Sequence, residues 1–325
     1  PVARKRNGQP IEGWVRSDWT IDEKTATLAL GHRNDKGYPA INTYSKEHKL
    51  YVRDARDAPR RLLPRKSWGF ERIENNVKII SDRHISLEGG FLAWKIYELV
   101  YKSNKPPVAG AGLAAVRDVI AYAKYDSTCA FKVKKGIAVG VSQTGRFLRQ
   151  FLYQGFNSDE TGQKAYDGMM IMTAGAGRGS FNHRFGQPSR DAHRYSAFFY
   201  PTDIFPFTIK EQIDPVTGDK GGILRDQMTE QNPPKIFQIN TGYEYWGRTA
   251  SLIHTDAEGR TDIAPSESER IYHIASAQHF VDEFPPDARN KKEDRIYTGN
   301  FLNTKFNYRA LLLALIEWVE DDKTP

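Results

Sequence analysis

The chain has little sulfur to build with: one cysteine, Cys129, in 325 residues, so no internal disulfide can form. That suits the cytosol, but an exported protein that needs no disulfide fits equally well, and the compartment stays open with the periplasm or exterior preferred. Long apolar runs are absent too. The longest, Leu311 to Ile316, falls far short of the roughly 20 residues a membrane-spanning helix needs, so no membrane span is expected. No signal peptide is recognisable, and the chain begins at Pro1 without a methionine, as a processed or truncated product would. Nor is there a concentrated charge of one sign. The formal net charge is +7, from 47 Lys and Arg against 40 Asp and Glu, but the two signs are interspersed. With no nucleic-acid-binding module in view, nucleic acid is not an expected partner. No cluster has the spacing of a zinc site, and His254-Thr255-Asp256 with Glu258, Gly259 and Asp262 is spaced wrongly for an EF-hand and reads as a polar turn. No metal or other cofactor is therefore expected.

What is present is ordinary for a globular protein: 39% hydrophobic and 27% charged residues, with 26 Gly and 17 Pro. The length allows one large domain or two small ones. Residues 1 to about 85 read as a β-rich, irregular segment, with candidate strands at Gly13 to Ile21, Thr25 to Leu30, Lys49 to Asp54 and Val77 to Ser81. His32, His48 and His84 fall in this segment and are expected at the surface. From about residue 90 the rhythm changes: a strand within Phe91 to Tyr101, a helix over Ala111 to Tyr125, a strand at 136 to 141, a helix from about 144 to 154, and an apolar strand at Met169 to Met172. Further strands follow at Ile236 to Ile239 and Ile271 to Ala275, where His273 should face a packed layer, and a closing helix at Lys305 to Val319. Short buried strands alternating with helices imply an α/β core, residues 86 to 325, with a mostly parallel central sheet covered by helices on both faces. Residues 177 to 234, rich in Arg, Phe, Tyr, Pro and Gly, interrupt this rhythm and are expected to form a lid-like insertion.

The stretch with the clearest chemistry is Gly136-Ile137-Ala138-Val139-Gly140-Val141-Ser142-Gln143-Thr144-Gly145-Arg146. Strand, serine, helix is the layout of a nucleophile elbow, in which the turn lifts the hydroxyl above the sheet and the helix aims its first amides beside it. A serine needs a base, usually a histidine held by a carboxylate. Glu244 and His279 each lie just past a later strand, and the order Ser142, Glu244, His279 is that of α/β-hydrolases. Asp256 is a fallback for the acid. The amide of Gln143 is the expected oxyanion donor. Arg178, His183, Arg184 and Trp246 are candidates to bind a carboxylate or sugar face, with an internal salt-bridge network as the competing reading for the charged ones. A phosphate loop at Gly140 to Gly145 is disfavoured, because no Lys-Ser/Thr pair follows the glycine.

Residues from about 86 to 320 resemble the bacterial α/β-hydrolase domain family of putative esterases. The likeness rests on Gly140-Val141-Ser142-Gln143-Thr144-Gly145-Arg146-Phe147-Leu148-Arg149, Gly155-Phe156-Asn157, Gly177 to Phe185, Glu244-Tyr245-Trp246 and Gln278-His279. It implies an α/β-hydrolase fold, with Ser142 as nucleophile, Glu244 as acid, His279 as base, and an ester, small or carbohydrate-linked, as substrate. Two departures stand out. Thr144 occupies the place where the widespread elbow has glycine; this G-x-S-x-x-G spacing is similar to the elbow of glucuronoyl esterases. The family's additional N-terminal portion, with the first sheet strands and a loop able to supply an oxyanion donor, has no recognisable counterpart, so the second donor has no assigned residue. The competing class is a truncated, non-catalytic scaffold used for binding.

Overall fold

The computed structural model describes residues 1–33, 35–191, 203–224, 231–285 and 299–325. The chain divides into two compact units, Pro1–Ala109 with Asn182–Phe199, and Gly110–Phe181 with Tyr200–Pro325.

The first unit is antiparallel throughout. One sheet has the order β1 (Gly13–Thr20), β9 (Ile96–Ser103), β3 (Lys49–Arg53), β4 (Arg61–Leu62), and a second the order β2 (Thr25–Ala29), β8 (His84–Phe91), β5 (Trp68–Gly69). A hairpin of β6 (Glu71–Glu74) and β7 (Val77–Ile80) completes the strands. The period-two rule explains the core. In β9, Tyr97, Leu99 and Tyr101 point inward to join Val15, Leu50, Val52, Ile85 and Phe91, while Glu98 on the opposite face sits between Arg53, 3.3 Å away, and Arg60, 2.6 Å away. One helical turn, Pro188–Asp191, is tied into this unit by Arg190, whose guanidinium is buried and donates to the carbonyls of Asp18, Leu30 and Gly31.

Three expectations change here. The strand foreseen within Phe91 to Tyr101 begins at Ile96 and is an inner member of the antiparallel sheet, so the strand-helix alternation starts only after Ala109. The boundary expected after residue 85 falls inside β8. His48 is buried rather than exposed: its Nε2–H donates to the carbonyls of Ile41 at 2.9 Å and Asn42 at 3.1 Å, and its Nδ1 accepts from the Lys102 amide. A histidine in a turn-rich stretch has no periodic pattern to betray that it satisfies a loop's backbone.

The second unit contains α1 (Ala111–Tyr125), β10 (Ile137–Val141), α2 (Gln143–Tyr153), β11 (Gly168–Met172), the short hairpin β12 (Gln212–Ile213) and β13 (Lys220–Gly221), β14 (Lys235–Thr241), α3 (Gly242–Gly247), β15 (Glu269–Ile274) and α4 (Lys305–Asp321). Its main sheet, β10-β11-β14-β15, is parallel, with β10 at one end. Among the described residues it is the one parallel sheet; the others are antiparallel, so "mostly parallel" holds for this sheet and not for the whole chain. Alternate residues of β11 and β14 explain why helices cover both faces. Met169, Ile171 and Ile236 pack with Leu113 of α1 and Leu148, Phe151 and Leu152 of α2, whereas Met170, Met172, Phe237 and Ile239 pack with Leu315, Trp318 and Val319 of α4. The stretch foreseen as a lid, 177 to 234, is shared between the units: residues from Asn182 to Phe199 belong to the first, and residues 192–202 and 225–230 lie outside the described residues.

Candidate active site

Parallel strands place their carboxyl ends together, and the loops leaving those ends are where ligands bind in open α/β sheets. Ser142 follows β10, Glu244 stands in the first turn of α3 directly after β14, and His279 follows β15. These three side chains meet. Ser142 Oγ lies 2.9 Å from His279 Nε2, and His279 Nδ1 lies 2.5 Å from Glu244 Oε1. An ionised carboxylate can only accept, so the imidazole proton belongs on Nδ1, which leaves the Nε2 lone pair to accept the Ser142 hydroxyl.

The backbone at Ser142 is strained, with φ 54 and ψ −113 for a residue that has a Cβ. Such a conformation costs on the order of 1–3 kcal/mol and persists only where its surroundings hold it. Here the Ser142 amide donates to the Met172 carbonyl at 2.8 Å, continuing the parallel ladder, and the Arg146 amide donates to the Ser142 carbonyl at 3.0 Å, starting the helix. The Thr144 hydroxyl clamps the turn from outside: it accepts from the Val141 amide at 2.8 Å and donates to the Val141 carbonyl at 2.9 Å. This accounts for threonine where glycine was expected. Close approach falls instead at Gly140, where a Cβ would come within 2.6 Å of the Thr144 carbonyl oxygen, and at Gly145, where it would come within 3.0 Å of the Ala174 side chain. The amide of Gln143, in the first turn of α2, is one that the helix itself leaves without an acceptor.

Glu244 is fully buried, and its second oxygen is also committed. Oε2 accepts the Thr241 amide at 2.9 Å and the Thr241 hydroxyl at 2.5 Å. Burial pushes this carboxyl up, but the hydrogen bonds from His279 and Thr241 outweigh it and leave the group below the ordinary carboxylate range. Thr241 was not singled out by sequence reasoning, although the spacing Thr241-x-x-Glu244 at a strand-helix junction is a capping-box signal. Two rings flank the imidazole: Tyr243, centroid 5.3 Å away, and Phe280, 4.8 Å away and perpendicular.

Buried charges frame the neighbouring loops. Arg149 donates to the side-chain oxygen of Gln238 and to the carbonyls of Ala176 and Phe207, and the Gln238 amide nitrogen donates to Glu269. Burial raises the Glu269 carboxyl and lowers the Arg149 guanidinium to about 10. Asp203 pairs with Arg248 at 3.2 Å, and burial raises its carboxyl despite the pull of Arg248, Arg146 and Arg149.

Arg178 is buried, donates to Gln150 Oε1 at 3.0 Å and to the Phe205 carbonyl at 2.7 Å, and stacks 3.7 Å from the Tyr153 ring centroid, which is the internal-network reading. Trp246 is 93% exposed on α3. His183 and Arg184 are exposed residues of the first unit. Asp256 holds its own turn, accepting the Arg260 amide at 2.8 Å. His273 is exposed beside the Tyr245 ring, not facing a packed layer as expected. Among the described residues no group of His, Cys, Asp and Glu is arranged to hold a metal ion, and no helix is long and apolar enough to cross a membrane.

Comparison with known proteins gives one result. Residues 90–325 match the family described as alpha/beta hydrolase domain. No curated protein and no solved structure matches the chain. The match spans well over half of the 325 residues and includes every side chain of the Ser142, His279 and Glu244 cluster. The chain belongs to the alpha/beta hydrolase domain family.

Proposed function

We propose that this chain is a carboxylic ester hydrolase working through an acyl-enzyme, with Ser142 as nucleophile, His279 as general base and acid, and Glu244 as the group that orients the imidazole. The observation that carries the reading is the continuous contact from Ser142 Oγ to His279 Nε2 and from His279 Nδ1 to Glu244 Oε1. His279 removes the hydroxyl proton as Ser142 attacks the ester carbonyl carbon, and Glu244 stabilises the imidazolium that forms. The oxyanion accepts the Gln143 amide, a donor fixed in place before the reaction. When the C–O bond to the alcohol breaks, His279 returns the proton to the departing oxygen, leaving the acyl group on Ser142. Water then enters by the same route in reverse, releases the carboxylic acid and restores the serine. The strain at Ser142 supports the reading, because it aims a hydroxyl rather than filling a turn. The substrate is a small or carbohydrate-linked ester, with the exposed Trp246 as a candidate contact.

The test compares the purified chain with Ser142→Ala on short-chain nitrophenyl esters, with fluorophosphonate labelling alongside. Turnover and a single label on Ser142, both abolished by the substitution, are expected. Turnover that survives Ser142→Ala, or folded protein that neither turns over nor labels, overturns the reading in favour of a binding scaffold.

A further inference from the structure

Glu244 carries its carboxylate at the third position of a short helix whose cap is Thr241, the last residue of β14. An ordinary capping box uses the glutamate to hold the cap's amide and the cap's hydroxyl to hold the glutamate's amide. Here the same two residues do something more. The Thr241 amide and hydroxyl both donate to Oε2, at 2.9 and 2.5 Å, while Oε1 receives His279. A buried carboxylate with only one donor would be free to rotate and would more readily take up a proton; with three it does neither. Thr241 is fully buried, so water cannot substitute for its hydroxyl. Building on the proposed hydrolase function, we infer that Thr241 is a positioning residue for the reaction: its hydroxyl fixes which oxygen of Glu244 faces His279 and keeps that carboxylate ionised.

If the hydroxyl is removed, the Glu244 carboxylate loses one of the donors that hold it below the ordinary carboxylate range and takes up a proton more readily. The acid limb of kcat/KM must then move to higher pH. Among the described residues two phenols also face the pair: Tyr243, whose ring lies beside the imidazole, and Tyr308 of α4, whose hydroxyl is pushed up by burial and by the Glu244 charge, away from that limb.

The experiment measures ester hydrolysis from pH 4 to 8 for the full chain, Thr241→Ser and Thr241→Val, with rates normalised to the fraction labelled by fluorophosphonate. Thr241→Val should lose about tenfold to a hundredfold in kcat with little change in KM and shift the acid limb up by about one pH unit. Thr241→Ser, which keeps the hydroxyl, should restore both. If Thr241→Val does not fold, Thr241→Ala, free of the branched side chain, replaces it with the same expected changes. A limb that stays put in the hydroxyl-free variant, even with a lowered melting temperature, means that Thr241 only caps a helix and overturns the inference. Loss of the Ser142 requirement overturns the hydrolase reading instead, so the two failures are distinguishable.

Discussion

The first unit packs aromatic and aliphatic side chains around one apolar core and buries a few ion pairs, Arg190 with Asp18 and Arg53 with Glu98, whereas the second buries more of its charges among its strands and helices. In the first, Phe70 meets Tyr101 and Phe91 meets Tyr97 edge to face in the same core as Leu50, Ile85 and Leu99, an arrangement that stabilises by packing. In the second, Arg149, Glu269, Arg248, Asp203 and Glu244 are withdrawn from water, Glu269 at the amino end of β15 and Glu244 just past the carboxyl end of β14. Buried ion pairs are weak contributors to stability relative to apolar residues of similar volume. Their burial is therefore better explained by geometry: Arg149 holds the carbonyls of Ala176 and Phe207, and Glu244 holds the His279 imidazole, which an apolar residue could not orient.

That contrast can be tested by breaking one element of each kind. Arg149→Met should have the largest effect. It leaves the Gln238 oxygen and the carbonyls of Ala176 and Phe207 without their donor and Glu269 without its nearby charge, a loss of about 3–5 kcal/mol in urea unfolding. Leu99→Ala, a cavity in the apolar core of the first unit, should cost about 2–5 kcal/mol by the same measurement, while the pH profile of ester hydrolysis per labelled serine stays as it is. A smaller effect is expected from His48, whose buried imidazole is held neutral below the ordinary histidine range, chiefly by burial. The unfolded chain then binds the proton more readily than the folded one. The stability that His48 contributes is present above about pH 6.5 and is lost as pH falls towards and through its lower folded value. Urea midpoints measured from pH 7.5 to 5 should fall, and His48→Gln, which keeps an amide donor for the Ile41 and Asn42 carbonyls, should flatten that fall. Smallest of all, Lys235→Ala removes an exposed ion pair with Asp322 and should leave the melting temperature unchanged within error.

The two regions also differed in how far they could be read from sequence. The second unit announces itself: β10, β11, β14 and β15 and the helices α1, α2 and α4 fall within a few residues of their expected positions, because buried parallel strands are short apolar runs bounded by helical periodicity. Ser142, Glu244 and His279 were accessible for the same reason, each standing one step past such a run. The first unit was legible in part: β1, β2, β3 and β7 stand within a residue of their expected bounds, and β4, β5, β6 and β8 did not show. Its short strands β4 and β5 pair through turns whose residues carry no periodic signal, and β8 is broken in pattern by Glu88-Gly89-Gly90. The incorporation of residues 182 to 191 into that unit depends on Arg190 reaching the carbonyls of Asp18 and Leu30, a pairing across a long separation that no local pattern encodes. Arg178 shows the limit on the other side: residue type and motif left a ligand-facing cation and an internal network both open, and its buried contacts with Gln150, Phe205 and Tyr153 fit the network.

The strand that ends at Ser142 stands at the end of its parallel sheet among the described residues, and Val139 and Val141 on it are each 51% exposed. Edge strands are the parts of a sheet that open with the least work, well before the whole structure unfolds. The proposed nucleophile thus follows a strand at the margin of its sheet, where local opening is expected first. Warming should silence its chemistry while helix and sheet signals still look native, so a fluorophosphonate label would serve as a local thermometer for that one seam of the molecule.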